Sequence, residues 1–107
     1  MRRGDLVTVA LSGDYGKPRP ALVVQSDLFS AHPSVTLLPV TGDLREAPLL
    51  RIRVDTSEQN GLRKTSDIMV DKLQTVPRER VGTVNGRVDD ATMVAVNRAL
   101  ATFLGFA

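Results

Sequence analysis

Two prolines fix the backbone on either side of one arginine, and this segment constrains the fold more than any other in the chain. Pro18 and Pro20 each lock φ, and a residue that precedes proline is disfavoured in the α region, so Lys17 and Arg19 are held extended. The apolar run at residues 21–24 is too short for a helix and ends in two valines, which indicates a buried strand. Arg19 therefore projects from a stiff backbone at the start of a buried strand, a position suited to anion recognition.

The composition restricts the chemistry that the chain can perform. It has no cysteine, which excludes disulfides and thiolate catalysis, and its one histidine, His32, is expected in an exposed loop and cannot form a multi-histidine metal site. The sequence thus gives no reason to expect a metal or other cofactor. Eleven of the 14 basic residues are arginine, the side chain best suited to forked contact with phosphate.

The length of 107 residues predicts a single domain spanning residues 1–107. No apolar run approaches the length of a membrane span, and the first residues lack the apolar core of a signal peptide. We therefore expect a cytoplasmic protein without a membrane segment.

Short apolar segments separated by proline and glycine turns predict a mainly β fold. The predicted strands cover residues 5–11, 21–24, 35–40, 50–54, 66–70, 73–76 and 81–84, with single helical turns at 27–29 and 77–81 and a flexible loop at 12–17. Pro39 within the third strand favours an edge position or a bulge. Such a pattern with one terminal helix indicates a compact, strongly curved β-barrel on which the helix packs.

The C-terminal helix has clear start and stop signals. Asp89 is a good N-cap and Gly105 a plausible stop. Five apolar side chains fall at helical spacing on one stripe, which we expect to be buried against the sheet: Met93, Val96, Leu100, Phe103 and Leu104.

Several polar residues are open to two interpretations on local pattern alone. Arg51 and Arg53 alternate with aliphatic residues and share one face of a strand. That face is either exposed to solvent or binds the phosphates of a nucleic acid. Thr41 follows the third strand at a turn, where a turn-forming hydroxyl is the default role. Arg19 by itself is more often a surface salt-bridge partner.

Four segments, taken in order, resemble the MazF/PemK toxin family over nearly the whole chain. They are Arg3-Gly4-Asp5, Arg19-Pro20-Ala21-Leu22-Val23-Val24, Leu38-Pro39-Val40-Thr41 and Asp71-Lys72-Leu73-Gln74-Thr75-Val76. The resemblance implies a homodimeric SH3-like barrel of the CcdB/PemK type with a C-terminal helix. It also implies a toxin of a type II toxin-antitoxin system with an acidic antitoxin partner, the complex of the two binding DNA.

The activity that the resemblance implies is metal-independent, sequence-selective cleavage of single-stranded mRNA. The 2′-OH attacks the adjacent phosphate and leaves a 2′,3′-cyclic phosphate. Arg19 and Thr41 match the catalytic arginine and threonine of the family. Asp71 matches an aspartate of the active site or its support, although it also fits a role as a turn cap or an arginine partner.

The remaining expected contacts concern RNA binding. The residues predicted to contact RNA are Lys17, Arg51, Arg53, Gln74 and Thr75. Gln74 stands where many members carry a basic residue, and Lys72 replaces the usual glutamine. We expect these two positions to affect RNA preference more than bond breaking.

Three other functions stay open at this stage. A non-catalytic nucleic-acid-binding barrel would need stacking aromatics, but the chain has no tryptophan, one tyrosine and three phenylalanines. A gyrase-inhibiting toxin shares the same barrel, although the apolar C-terminal end is unlike that of such inhibitors. An inactive paralogue that only captures the antitoxin is the third possibility.

Overall fold

The computed structural model describes residues 1–10 and 17–106, and over these residues the fold is built on one seven-stranded antiparallel sheet. The strands are β1 (Asp5–Ala10), β2 (Pro18–Val23), β3 (Ser34–Thr41), β4 (Arg51–Val54), β5 (Ser66–Met69), β6 (Gln74–Pro77) and β7 (Val81–Arg87). One α-helix, α1 (Asp90–Leu104), follows, and 3-10 turns lie at Asp27–Phe29, Val70–Lys72 and Arg78–Arg80. The prediction of a mainly β chain with a C-terminal helix is confirmed.

The strands run in the order β4-β5-β3-β2-β1-β7, and β6 pairs with the other end of β3. No ladder joins β4 to β7 among the residues that the structure describes, so closure into a barrel remains a prediction. The loop expected at residues 12–17 lies, apart from Lys17, outside the described residues.

β3 is a central strand, so the expectation that Pro39 marks an edge is wrong. One side of β3 pairs with β2, where Pro39 lies opposite Ala21. The other side pairs with β6 over residues 34–37 and with β5 over residues 40–41. Pro39 falls in the gap between these two partners, where the N–H that proline lacks is not needed for either ladder.

Both faces of the sheet are covered by apolar side chains. The larger cluster includes Leu6, Leu22, Leu38, Ile68 and Val96, and the smaller one includes Val7, Val9, Ala21, Val23 and Leu37. Neighbouring residues of β2 enter opposite clusters, as the two-residue period of a strand requires. The second half of β2 is thereby fixed from both faces of the sheet, and its exposed first half carries Arg19.

The helix begins and ends as its cap residues predict, but only part of its apolar stripe is buried. The Asp89 side chain accepts from the Thr92 amide, and Gly105 adopts a left-handed φ of 85°. Val96 and Leu100 are buried against the core, whereas Phe103 and Leu104 remain 45% and 49% exposed. The helix packs on β4 and the turn Val70–Lys72, and its last turn is less covered than the turns before it. None of the described helices has the length and apolarity that a membrane crossing requires.

Candidate active site

An open groove of about 1270 Å³ lies across the ends of β2 and β3 and contains both residues expected to be catalytic. Its lining residues come from β1 to β3, the turn after β3, the segment between β4 and β5, β5 itself and β7: Leu6, Thr8, Pro18–Pro20, Pro39–Asp43, Asn60–Lys64, Ser66, Met69 and Asn85. Arg19 and Thr41 therefore face one shared space.

Strand register explains why these two residues lie at the same end of the sheet. In the β2–β3 ladder Leu22 lies opposite Leu38, and the ladder ends where Ala21 lies opposite Pro39. The same register continued by two residues would bring Arg19 to the level of Thr41. On the other side of β2, Arg19 lies opposite Val9 of β1. The arginine is thus carried by a strand with an ordered neighbour as well as by its flanking prolines.

The hydroxyl of Thr41 is oriented by the turn that follows it. Its Oγ1 accepts a hydrogen bond from the amide of Asp43 at 3.1 Å. A hydroxyl has one hydrogen to donate as well as lone pairs to accept, so this bond leaves the Thr41 proton available for another acceptor. The turn-forming role expected by default is present, and it is compatible with hydrogen-bond donation into the groove.

A buried carboxylate lies behind Thr41. Asp67 of β5 pairs with Thr41 across the sheet and is 0% exposed. It accepts from Arg53 Nε at 3.0 Å, from the Arg45 amide at 3.0 Å and from Arg51 Nη1 at 3.3 Å. We call Asp67, Arg51 and Arg53 the ionic cluster.

The titration of the ionic cluster reflects these contacts. Burial on its own would raise the pKa of Asp67, but hydrogen bonds from Arg53, the Arg45 amide and Arg51 outweigh it, and the pKa lies below its ordinary value. The bond to Asp67 is in turn the main reason that the pKa of Arg53 is raised. The cluster therefore holds a charged carboxylate inside the sheet.

Arg51 and Arg53 share a strand face, as the alternation predicted, and both donate to Asp67. The side chain of Arg51 is 14% exposed, and Arg53 also pairs with Glu46 at 3.0 Å. Neither is among the residues that line the groove. Their predicted role in RNA binding stays a prediction, with the guanidinium groups already engaged by carboxylates.

Gln74 and Thr75 lie at the opposite end of β3 from Thr41. Thr75 shares a hydrogen bond of 2.7 Å with Thr36, its partner on β3. Five residues separate Thr36 from Thr41, which corresponds to about 17 Å along an extended strand. The structure does not bring these two predicted RNA contacts to the groove.

Asp71 and Lys17 are not among the residues that line the groove. Asp71 is half-buried in the turn Val70–Lys72 and does not line the groove. Lys17 is exposed and directly precedes β2, next in the chain to the groove residue Pro18. His32 is exposed in its loop, as expected, and its Nδ1 accepts from the Ser34 amide.

Two cations of the groove were missed in the sequence. Arg63 and Lys64 both line it and are exposed. The Lys64 side chain lies directly over Gly42: a Cβ added to Gly42 would come within 2.0 Å of the lysine Cε. The available signal was a tight Asn60-Gly61 turn followed by two basic residues. Arg19, Arg63 and Lys64 share the described lining with one carboxylate, that of Asp43, which favours a polyanionic ligand.

The wall that carries these cations is held by the Asn60-Gly61 turn. The Asn60 side chain is buried, accepts from the amides of Ser57 and Leu62, and donates to the Asp55 carbonyl. Gly61 has a φ of 67°, and a Cβ there would lie 2.5 Å from the Asn85 carbonyl oxygen. Only glycine fits this approach of two backbones without displacement.

The described residues contain no group of three or more histidine, aspartate or glutamate side chains arranged to hold a metal ion. The groups that the groove offers to an anion are the cations of Arg19, Arg63 and Lys64 and the hydroxyl of Thr41. Cations stabilise negative charge, and a hydroxyl can donate a hydrogen bond.

Comparison with known proteins gives a consistent result. The family described as "PemK-like, MazF-like toxin of type II toxin-antitoxin system" matches residues 2–104. The probable endoribonuclease MazF of Mycolicibacterium smegmatis is 48% identical over 108 residues, covering 100% of this chain and 99% of the relative. The endoribonuclease EndoA of Bacillus subtilis is 26% identical over 94% of this chain and 90% of its own length. A solved mycobacterial endoribonuclease in complex with its cognate antitoxin superposes with a TM-score of 0.82 at 27% identity, covering 100% of this chain and 97% of that one.

Proposed function

Because the chain belongs to the family of PemK-like, MazF-like toxins of type II toxin-antitoxin systems, we propose that it cleaves single-stranded mRNA at selected sequences without a metal ion. Its relatives from M. smegmatis and B. subtilis are named endoribonucleases, and the first of them matches over the full chain. The observation that carries the proposed mechanism is that Arg19 and Thr41 line one cation-rich groove.

The reaction needs charge stabilisation at phosphorus. The ribose 2′-OH attacks the adjacent phosphorus, the bond to the 5′-oxygen breaks, and the products are a 2′,3′-cyclic phosphate and a 5′-OH. The proton lost by the 2′-OH is balanced by one gained at the leaving oxygen. The phosphorane between these states carries an extra negative charge, which a preorganised donor in a shielded site stabilises strongly.

Arg19 and Thr41 are suited to that task in different ways. The guanidinium of Arg19 is permanently protonated, so its direct contribution is to bind the phosphate and stabilise the added charge. Thr41 is oriented by the Asp43 amide. Its hydroxyl donates a hydrogen bond to a non-bridging phosphate oxygen. Removing one donor of this kind costs about 10²–10³ in rate.

The groove also accounts for the class of substrate. Arg63 and Lys64 lie along the same lining as Arg19, so an extended phosphate backbone meets several cations in turn. The groove is open and polar, which suits a single strand better than a compact apolar ligand. We expect Lys17, which directly precedes the groove residue Pro18, to add a further phosphate contact.

The proposal extends to the assembly. We infer that residues 1–107 act as one SH3-like barrel domain. Two observations support this: the continuous antiparallel strand order β4-β5-β3-β2-β1-β7, and the TM-score of 0.82 with a mycobacterial endoribonuclease. The homodimer and an acidic antitoxin belong to the same proposal, because that solved relative contains its cognate antitoxin. Since mRNA is the substrate, the site of action would be the cytoplasm.

The test is cleavage of a long RNA by the purified protein in EDTA, with mapping of the product ends. We expect cuts at a restricted set of sequences that leave 2′,3′-cyclic phosphates. Arg19→Ala and Thr41→Val should each slow cleavage at least 100-fold while the far-UV spectrum and the oligomeric state stay unchanged. Arg78→Ala and Thr83→Val, which lie outside the groove lining, are matched controls for the loss of a guanidinium and of a hydroxyl.

Other results separate the alternatives. Intact RNA together with blocked DNA supercoiling would indicate a gyrase-directed toxin. RNA that is bound but not cut would indicate a binding module. A folded Arg19→Ala protein that cuts at the normal rate would remove Arg19 from the mechanism.

A further inference from the structure

We propose that Arg51 and Asp67 are positioning residues, which set the rate of RNA cleavage by holding the Thr41–Asp43 turn in place and not by contacting RNA. This inference rests on the proposed function, in which the Thr41 hydroxyl donates to the reacting phosphate. It assigns a use to a buried charged group that the mechanism otherwise leaves idle.

The first link joins Thr41 to Arg51 through a single residue. The amide of Asp43 donates to Thr41 Oγ1 at 3.1 Å, and the carbonyl of Asp43 accepts from Arg51 Nη1 at 2.8 Å. The main chain of Asp43 is thus restrained on both sides. A shift of the Asp43 carbonyl would carry its neighbouring amide away from the threonine hydroxyl.

The second link fixes Arg51 itself. Its Nη1 donates to Asp67 Oδ2 at 3.3 Å, and the same oxygen accepts from the Arg45 amide at 3.0 Å. One carboxylate oxygen therefore restrains both the arginine and the chain two residues beyond Asp43. Asp67 is in addition the β5 partner of Thr41, so the restraint and the residue it serves lie on paired strands.

The contacts at the surface cannot replace this restraint. The side-chain pair of Asp43 and Arg45 is 3.3 Å long, but both side chains are 69% exposed. Exposed ion pairs contribute little to the order of a loop. Asp67 is 0% exposed and the Arg51 side chain 14%, so the donor that holds the exposed Asp43 carbonyl is itself fixed by a buried carboxylate.

Orientation matters because the hydroxyl hydrogen is free to rotate. Without the Asp43 amide as a fixed donor, Thr41 Oγ1 loses the partner that selects its direction. A donor that is present but misaligned loses part of its effect on the transition state, and displacements of about 1 Å can cost up to 100-fold. We therefore expect loss of the restraint to cost less than loss of the hydroxyl, about tenfold.

The decisive variant is Arg51→Met in the full-length protein, assayed on a short RNA that contains one mapped cleavage site. We expect kcat to fall about tenfold while KM stays within about twofold, because Arg51 lies outside the groove lining. Arg78→Met is the matched control: its guanidinium also donates to backbone carbonyls, those of Ser30 and His32, but in another loop. Its kcat should equal that of the unmodified protein.

A double variant tests whether Arg51 acts through Thr41. In a Thr41→Val background the hydroxyl is gone, so adding Arg51→Met should change kcat no further. If the kcat loss of the double variant equals the product of the two single losses, Arg51 acts independently of Thr41 and the inference is overturned. A rise in KM with unchanged kcat would do the same, and would make Arg51 an RNA contact.

A second pair of variants avoids the buried residues, in case Arg51→Met does not fold. Asp43→Pro removes the amide that donates to Thr41, and Asp43→Ala removes the same carboxylate but keeps that amide. We expect Asp43→Pro to have a kcat about tenfold below that of Asp43→Ala. Equal kcat values would overturn the inference. Normal cleavage by Thr41→Val would instead remove Thr41 from the mechanism, and RNA left intact by the unmodified protein would refute the proposed function, so these failures are distinguishable.

Discussion

Replacing Asp67 by asparagine should destabilise the protein, because Asp67 is a buried carboxylate that accepts three hydrogen bonds. Asp67 Oδ2 accepts two donors, the Arg45 amide and Arg51, and Oδ1 accepts from Arg53. An amide has one oxygen, which can take the place of Oδ1 or of Oδ2, and its NH₂ then faces a donor at the other position. In the better orientation the amide keeps the Oδ2 contacts and loses the bond to Arg53 together with the negative charge.

The magnitude follows from that loss. Losing a hydrogen bond to a charged group costs about 1.5–3 kcal/mol, and the upper end does not apply because 42% of the Arg53 side chain is exposed to water. We therefore expect the free energy of unfolding to fall by about 2 kcal/mol. For a domain of this size such a change lowers Tm by about 10 °C.

The assay is thermal and denaturant unfolding followed by circular dichroism, at one protein concentration so that any association is matched. The pH dependence supplies an internal check. The folded pKa of Asp67 lies below its unfolded value of about 3.9, so its contribution is fully present above that pH and is lost as the pH falls through the folded pKa. The difference between the two proteins should be constant from pH 7 to pH 5 and should narrow below about pH 4.

Glu46→Gln is the matched control, since it also removes a carboxylate that pairs with Arg53 but one that is 88% exposed. It should change the free energy of unfolding by less than about 1 kcal/mol. An Asp67→Asn protein as stable as the original at pH 7 would refute the view that this carboxylate is charged and paired inside the sheet. A gap that widened on acidification would refute the direction of its pKa shift.

Two further predictions concern the groove wall. Gly61→Ala should lower the free energy of unfolding by about 2 kcal/mol by chemical denaturation, because its φ is 67° and the new Cβ would meet the Asn85 carbonyl oxygen at 2.5 Å. Gly105→Ala, at a φ of 85° with nothing within 4 Å, should cost less, and equal losses would contradict the crowding. Lys64→Ala should reduce the slope of log affinity for single-stranded RNA against log salt by about 0.7, as measured by fluorescence anisotropy at several salt concentrations. Arg98→Ala, at an exposed position of α1 outside the groove lining, should leave that slope unchanged, and an equal reduction would contradict a local role for Lys64.

The sequence predicts the parts of this site that depend on local rules. Flanking prolines act on their immediate neighbours, so the extended entry of Arg19 into β2 could be predicted and is confirmed. The turn after Thr41 and the cap at Asp89 are equally local. These features need no knowledge of which strands pair.

The features that were missed depend on pairing between distant segments. Alternation placed Arg51 and Arg53 on one strand face, but only the β4–β5 register, in which Arg53 lies opposite Asp67, shows what that face meets. Pro39 appeared to mark an edge because local sequence cannot reveal that β3 changes partners on one side. The apolar stripe of α1 likewise predicts a helix but not where its packing partners end, and Phe103 and Leu104 are exposed for that reason.

The two groups assigned to the chemistry are held by restraints of different physical kinds. Arg19 owes its position to the rings of Pro18 and Pro20 and to pairing with β1, neither of which involves a titrating group. Thr41 owes its orientation to a turn whose carbonyl is held by Arg51, which is itself held by the charged Asp67. Because acid neutralises Asp67 and leaves the prolines unchanged, the orientation of the hydroxyl should weaken under conditions in which the arginine remains correctly placed.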